Sequence, residues 1–367
     1  MKESNNMQKM QFTILFIDDN CNQYLETLNI VANSYGFNIK AFNNVIEGLD
    51  FLNENHKNIG AVILDIIFPG NETQGPDALI EIKRKYNLLP VIMLTGSDSE
   101  TDIEIAVNCM KIGASNYVGK TKFNPIYLFQ VVQSAFQQYQ INLEIERHKV
   151  LKEEYSSKKS VYEKMLYTTE MIIENILNDK LMFPPTYEKR VKEFKSFYEK
   201  LKNKEKSEGF IAYPFERITD IAGLRIIFYN AADLQKAVDS LKESNDFYDI
   251  TGGDLIADDK SKTFGYRAVH FDVKLNAEKR LHLEEYQGLS NIPCEVQFKT
   301  IFAHSWSKVH HALSYKEIGE IQLTPEDQQK LNEDFKETAK NLENIEQKIT
   351  ALCEKYYSNT KSNPNVN

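Results

Sequence analysis

Short apolar runs alternate with amphipathic segments of helical length over residues 11–138. FTILFI (12–17), AVILDI (61–66) and PVIML (90–94) are rich in β-branched residues and almost free of polar positions. Runs of that kind predict strands covered on both faces, as in a parallel sheet flanked by helices. NYVGK (116–120) is the candidate last strand. From about 125 to 180 the pattern becomes charged and helical, and LFQVVQSAFQQYQINLEIERHKVLKEEYSSKKSVYEKML contains no Pro or Gly. One or two long helices are expected there.

Residues 184 to about 318 form a second mixed α/β region. Its predicted strands are LRIIFY (224–229), YRAVHFDVKL (266–275) and CEVQF (294–298). FPPTYEKRVKEFKSFYEKLKNKEK (183–206) carries eight Lys/Arg against four Glu and reads as a cationic helix. On a helix, positions 192, 196 and 200 form one stripe, with Arg190 offset at its start. HSWSKVHHALSYK reads as a helix with His304, Lys308, His311 and Tyr315 on one side. In the tail, Phe335, Leu342, Ile345, Ile349, Leu352 and Tyr356 keep a spacing that fits a coiled-coil seam and an intramolecular amphipathic helix equally. The expected division is 11–138, a helical linker 139–180, a second domain 181–320, a helical segment 321–357 and a disordered tail 358–367. The fold class is α/β: a doubly wound parallel domain, then a mixed-sheet α+β domain.

Length and composition agree with two domains. The 367 residues are 42% hydrophobic and 26% charged, which is globular. The net charge of −9 gives no support for bulk nucleic-acid binding, and no DNA partner is expected. Four scattered cysteines without a CxxC pair argue against zinc and disulfide frameworks and fit a reducing compartment. The N-terminal MKESNNMQKMQ lacks the apolar core of a signal peptide, and no apolar run reaches the roughly 18 residues of a membrane span. The expectation is a soluble cytoplasmic protein.

Acidic residues stand at the predicted strand ends. Asp18 and Asp19 follow the first run, Asp65 follows VIL, Thr95 follows VIML and Lys120 follows NYVG. In a doubly wound sheet the carboxyl ends of the strands converge. Three carboxylates there repel one another unless a hard cation such as Mg²⁺ is shared. With Tyr117 and the small Gly96, this order resembles a response-regulator receiver domain. The resemblance implies Asp65 as phospho-acceptor, Asp18, Asp19 and Asp65 as Mg²⁺ ligands, Thr95, Tyr117 and Lys120 as the switch, and a sensor histidine kinase or phosphotransfer protein as partner. Two departures are the long loop PGNETQGPD and Thr121 after Lys120, where the family has Pro.

In ITDIAGLRIIFY (218–229), Asp220 and Arg225 interrupt an apolar strand, and burying an unpaired charge costs several kcal/mol, on the order of 3–5. Either they pair, or they face something that needs both. In CEVQFK, Glu295, Gln297 and Lys299 share one face, which is no core face. These pieces resemble the synthetase domain of RelA/SpoT-type (p)ppGpp synthetases. The motifs are Arg190-x-Lys192-x3-Ser196-x3-Lys200; Asp220-x-x-Gly223-x-Arg225; Lys262-x-x-Gly265-Tyr266-Arg267-x-x-His270; Glu295-x-Gln297-x-Lys299-Thr300; and His304-x-Trp306 with His311, Leu313, Tyr315 and Lys316. The resemblance implies transfer of the β,γ-pyrophosphate of ATP to the ribose 3′-OH of GDP or GTP. Asp220 and Glu295 would be catalytic and hold Mg²⁺. Arg190, Lys192, Ser196, Lys200 and Arg225 would bind ATP, with the two arginines around adenine. Lys262, Tyr266, His270, Gln297, Lys299 and His304 would bind the acceptor, Tyr266 stacking on its base. A homo-oligomer is expected, and no membrane. Asn203 and His310-His311 depart from the family's usual Arg and Glu-His. No adjacent His-Asp pair occurs, so no hydrolase activity is expected. Two other readings are a pyrophosphokinase with an adenine nucleotide or RNA 3′-end acceptor, and a non-catalytic nucleotide sensor.

Overall fold

The computed structural model describes residues 12–70, 74–96, 100–121, 123–249, 258–259, 268–276, 283–315 and 324–361. The chain divides into two compact units, Met1–Leu151 and Lys152–Asn367.

In the first unit, strands β1 (Thr13–Ile17), β2 (Asn38–Phe42), β3 (Ile59–Asp65), β4 (Val91–Thr95) and β5 (Asn116–Gly119) alternate with helices α1 (Cys21–Ser34), α2 (Val45–Asn55), α3 (Gln74–Lys85) and α4 (Glu100–Ile112). The sheet is wholly parallel, in the order β2-β1-β3-β4-β5. Both faces are covered, which is why the runs are uninterrupted. Leu15, Val62, Leu64 and Met93 pack on α2, α3 and α4 through Leu52, Leu79 and Cys109. Ile14, Phe16, Ile63 and Leu94 face Leu28 of α1 and Phe129 and Val132 of the next helix. That helix, α5, is continuous over 53 residues, Pro125–Leu177.

The second unit holds β6 (Thr186–Val191), α6 (Phe194–Glu208), α7 (Pro214–Arg217), β7 (Ala222–Phe228), α8 (Ala231–Glu243), β8 (Phe247–Asp249), β9 (Asp258–Asp259), β10 (Ala268–Leu275), β11 (Cys294–Thr300), α9 (Ile301–Tyr315) and α10 (Pro325–Lys361). The sheet is mixed, in the order β6-β7-β11-β10-β8, with β9 on β10. One face is apolar: Leu224, Ile226, Val296, Phe298, Phe271 and Val273 are all buried. The C-terminal half of α5 serves this unit, for its Tyr155 hydroxyl donates to the Lys192 carbonyl and its Glu170 pairs with Lys189 of β6. The opposite face carries the charged residues.

Three expectations change. Residues 183–206 are not one helix: TYEKRV forms β6, and helix begins only at Phe194. Helical spacing in the charges hid a period-2 segment at the edge of the sheet, where both faces tolerate polar residues. Strand β7 begins at Ala222 rather than Leu224, and Tyr229 falls outside it. The tail helix runs to Lys361, into the stretch expected to be disordered. Its Phe335 and Ala339 pack on Ala303 and Trp306, while Ile345, Leu352 and Tyr356 are exposed. Among the described residues no helix is long and apolar enough to cross a membrane.

Candidate functional sites: an acidic pocket and a cationic cleft

The parallel sheet delivers Asp18 beyond β1 and Asp65 at the end of β3, beside the point where the strand order reverses. One ligand oxygen from each of Asp18, Asp19 and Asp65 lies within 4.8 Å of the others. Lys120 Nζ lies 2.7 Å from Asp18 Oδ2 and 2.7 Å from Asp65 Oδ2, so Thr121 in place of Pro has not displaced the lysine. Asp65 Oδ1 accepts from the Ile66 amide at 2.9 Å. Burial raises the Asp65 carboxyl, Lys120 pulls it down, and the balance leaves it raised to about 6. A single lysine does not offset three carboxylates of which Asp18 and Asp65 are buried, so the trio suits a hard divalent cation. Thr95 is buried at the end of β4, and Tyr117 on β5 is exposed. The loop after Asp65 runs into Gly75, where a Cβ would lie 2.3 Å from the Asp65 carbonyl oxygen. Only glycine permits that approach.

In the second unit, register explains the site. Arg190, Gly223, Glu295 and Asp272 form one row across β6, β7, β11 and β10. The adjacent row is Glu188, Arg225, Gln297 and His270. Alternation along β11 keeps Glu295, Gln297 and Lys299 on the half-buried face, as its sequence predicts. Gly223 leaves a floor without a side chain between Arg190 and Glu295. Above it opens a cleft of about 680 Å³ lined by Arg190, Lys192, Asp220, Arg225, Glu295 and Gln297, among others.

Asp220 sits just before β7. Its Oδ2 accepts from Lys192 Nζ at 2.6 Å and Lys200 Nζ at 2.7 Å. Its Oδ1 is buried and has no hydrogen-bond partner among the described residues. Burial pushes the Asp220 carboxyl upward, but the two lysines outweigh it and hold it below the ordinary range. Lys192 is itself fixed: its amide donates to the Ile221 carbonyl at 2.8 Å, and its carbonyl accepts from the Tyr155 hydroxyl of α5. Glu295 Oε1 lies 3.0 Å from His270 Nδ1, and Oε2 accepts from Gln297 Nε2 at 2.8 Å. Burial raises Glu295 and the Asp220 charge adds to that, yet His270 and Gln297 prevail and keep it low. Asp220, whose second carboxylate oxygen has no partner among the described residues, lines one cleft with the ionised Glu295, and two such carboxylates fit a divalent cation.

Arg190, Lys192, Lys200, Asp220, Arg225, Glu295, Gln297 and His270 therefore converge as the motifs require, although Arg190 and Lys192 precede α6 instead of riding on it. Ser196 is exposed on α6. His304 on α9 is buried, and its Nε2 lies 3.5 Å from Glu188 Oε1. Burial lowers the His304 pKa against the pull of Glu188. Burial also lowers Lys299, with the charge of Arg225 adding to it. Lys262, Gly265, Tyr266, Arg267 and Lys316 lie outside the described residues, as do the side chains of His310, His311, Leu313 and Tyr315.

Sequence reasoning missed Glu188. Its Oε2 accepts from Arg225 Nη1 at 2.9 Å, and its Oε1 lies 3.4 Å from Lys308 Nζ. The available signal was the alternation Glu188-x-Arg190 in TYEKRV, once that segment is read as a strand.

Residues 14–133 match the family model of the response regulator receiver domain. Residues 189–320 match that of the region found in RelA/SpoT proteins. One chain thus joins a receiver domain to a RelA/SpoT region. Among curated relatives, an NtrX-like response regulator of Rickettsia felis is 40% identical over 112 residues, 30% of this chain and 22% of that protein. The chain spans about a fifth of the length of the NtrX-like regulators it matches. The GTP pyrophosphokinase YjbM of Bacillus subtilis is 31% identical over 132 residues, 36% of this chain and 57% of that enzyme. The crystal structure of the small alarmone synthetase 1 from Bacillus subtilis bound to its product pppGpp aligns with a TM-score of 0.43 and 21% identity, covering 56% of this chain and 98% of that one.

Proposed function

We propose that the chain is a phosphorylation-regulated alarmone synthetase, moving pyrophosphate from ATP to the 3′-OH of GDP or GTP. The observation that carries this reading is the state of Asp220: one oxygen holds two lysines, the other has no partner among the described residues, and the residue lines a polar cleft together with Glu295. A pure binding site for a polyanion has no need of two ionised carboxylates. Asp220 and Glu295 would hold Mg²⁺, which neutralises phosphate charge when bound. Lys192 and Lys200 would turn from Asp220 to the ATP phosphates. Arg190 and Arg225 are diagonal neighbours on one sheet face, and such pairs stand about 7–8 Å apart, wide enough for one planar base between two guanidinium planes. The acceptor 3′-oxygen attacks the β-phosphorus, the bond from the bridging oxygen to that phosphorus breaks, and AMP leaves. The 3′-OH proton passes to Glu295, with His270 behind it. Phosphoryl-type transfer of this kind is mostly positioning and charge neutralisation.

In the receiver, Asp65 would take a phosphoryl group from a kinase, with Mg²⁺ on Asp18, Asp19 and Asp65. The change would reach Thr95 and Tyr117 and travel along α5, whose Leu128 and Phe129 pack in the receiver core and whose Tyr155 holds the Lys192 carbonyl. The test is turnover by the purified full chain with Mg²⁺, ATP and GDP or GTP, with and without acetyl phosphate. Adenine nucleotides and an RNA 3′ end serve as rival acceptors. A pyrophosphorylated guanine nucleotide is expected, and no product under either condition defeats the proposal.

A further inference from the structure

Arg225 is fastened at two edges of its guanidinium plane. Nη1 donates to Glu188 Oε2 at 2.9 Å and Nε donates to Gln297 Oε1 at 3.3 Å. Guanidinium donors lie in the plane of the group, so acceptors at two edges fix that plane and leave its faces open. Gln297 is held in turn, because its Nε2 is committed to Glu295. Glu188 is held from the far side by Lys308 and His304 of α9. A carboxylate beside a polyphosphate site is otherwise costly, since it repels the ligand. A planar ligand stacked on Arg225 leaves both edge bonds intact, so Glu188 need not move when it binds.

The geometry points to Glu188 as a positioning residue that presents the face of Arg225 to a purine base and so separates base recognition from phosphate recognition. This rests on the reading of the cleft as an ATP site. Lys192, Lys200 and Asp220 take the phosphates and metal at one end. Glu188 and Arg225 set the base at the other. Glu188 touches neither reacting atoms nor phosphates in this scheme, and acts through Arg225.

The experiment is calorimetric titration of the full chain with a non-hydrolysable ATP analogue and, separately, with inorganic tripolyphosphate, both with Mg²⁺. Stacking of one base is worth a factor of about 5 to 150 in affinity, and the Glu188–Arg225 pair is partly exposed, 39% and 29%, so only the lower end of that range is at stake. Glu188→Ala is expected to weaken the ATP analogue about 5–10-fold and to leave tripolyphosphate unchanged or tighter. Glu188→Gln keeps an acceptor for Nη1 and is expected to recover part of the loss. In an Arg225→Ala background, Glu188→Ala is expected to add nothing. Equal losses for both ligands would make Glu188 merely structural and overturn the inference. Tighter ATP binding would make it a plug that substrate displaces, and overturn it equally. If the wild-type chain binds tripolyphosphate and not the ATP analogue, the ATP reading of the cleft itself falls, whatever Glu188 does.

Discussion

Asp65 and Asp220 are the same residue type at strand ends of two sheets, both well covered, with side-chain exposures of 5% and 18%. Their carboxyls move in opposite directions. Asp65 rises to about 6 because burial and Asp18 outweigh one lysine. Asp220 falls because two lysines outweigh burial. The difference is one of counting charges within reach: the receiver pocket is short of cations, and the cleft is rich in them. An acid-rich pocket suits a divalent cation, and a cation-rich cleft suits a polyanion.

The sharpest way to break the comparison is to remove the acid from the cleft. Asp220→Ala takes away the bare oxygen and the partner of both lysines. Pyrophosphate transfer is expected to fall about 10²–10³-fold, the scale seen when one group stabilising transition-state charge is lost. Labelling of the receiver by acetyl phosphate should persist. Retained turnover would mean that Asp220 only anchors lysines.

The second test concerns the receiver. A carboxyl whose folded pKa lies above its unfolded value favours folding below that unfolded value, and the contribution is lost as pH rises through the folded one. For Asp65 the window runs from 3.8 to about 6. At about 1.4 kcal/mol per unit, metal-free protein at pH 8 carries a penalty of about 3 kcal/mol, roughly halved by pH 5. Asp65→Asn is therefore expected to stabilise the metal-free receiver at pH 8 and progressively less towards pH 5. Mg²⁺ should stabilise the wild type more than the variant. Urea unfolding in EDTA and in Mg²⁺, read by hydrogen exchange at β3, decides it. Asp220 and Glu295 are depressed, so their contribution is present above the unfolded carboxylate range and is lost only at acid pH; the lowered His304 adds a trend of the opposite sign, destabilising as pH falls through the unfolded histidine range, so stability in this unit should not fall as pH rises from 5 to 8.

How much of this was legible follows from the same contrast. Strands β1, β3 and β4 were plain because burial on both faces demands unbroken apolar runs. β2 went unread, for its residues alternate between exposed and half-buried at the edge of the sheet. β6 reads as helix because Glu188, Arg190 and Lys192 alternate on an edge where helical and strand periods both fit the charges. Lys192 and Lys200 still meet, at Asp220, with Lys192 reaching the acid from just beyond β6 and Lys200 from α6, a pairing that no local pattern announced. Glu188 stayed hidden because its meaning depends on Arg225, 37 residues away in the chain, and no local pattern carries a cross-strand partner.

The smallest expected effect separates the two lysines on Asp220. Lys192 is 11% exposed and Lys200 is 40% exposed. An exposed ion pair contributes about 0–1 kcal/mol, so Lys200→Met should change stability little. Lys192→Met removes the less exposed partner and should cost more, toward the roughly 3–5 kcal/mol of breaking a buried pair. Both should weaken tripolyphosphate, because each supplies a charge-assisted donor to the same anion. Two lysines with similar effects on the ligand and unequal effects on folding would show that the cleft's cations are there for the substrate, with Lys192 alone also holding the fold. Equal destabilisation by both would mean that the pair on Asp220 is chiefly structural, and the contrast with the receiver pocket would lose its functional meaning.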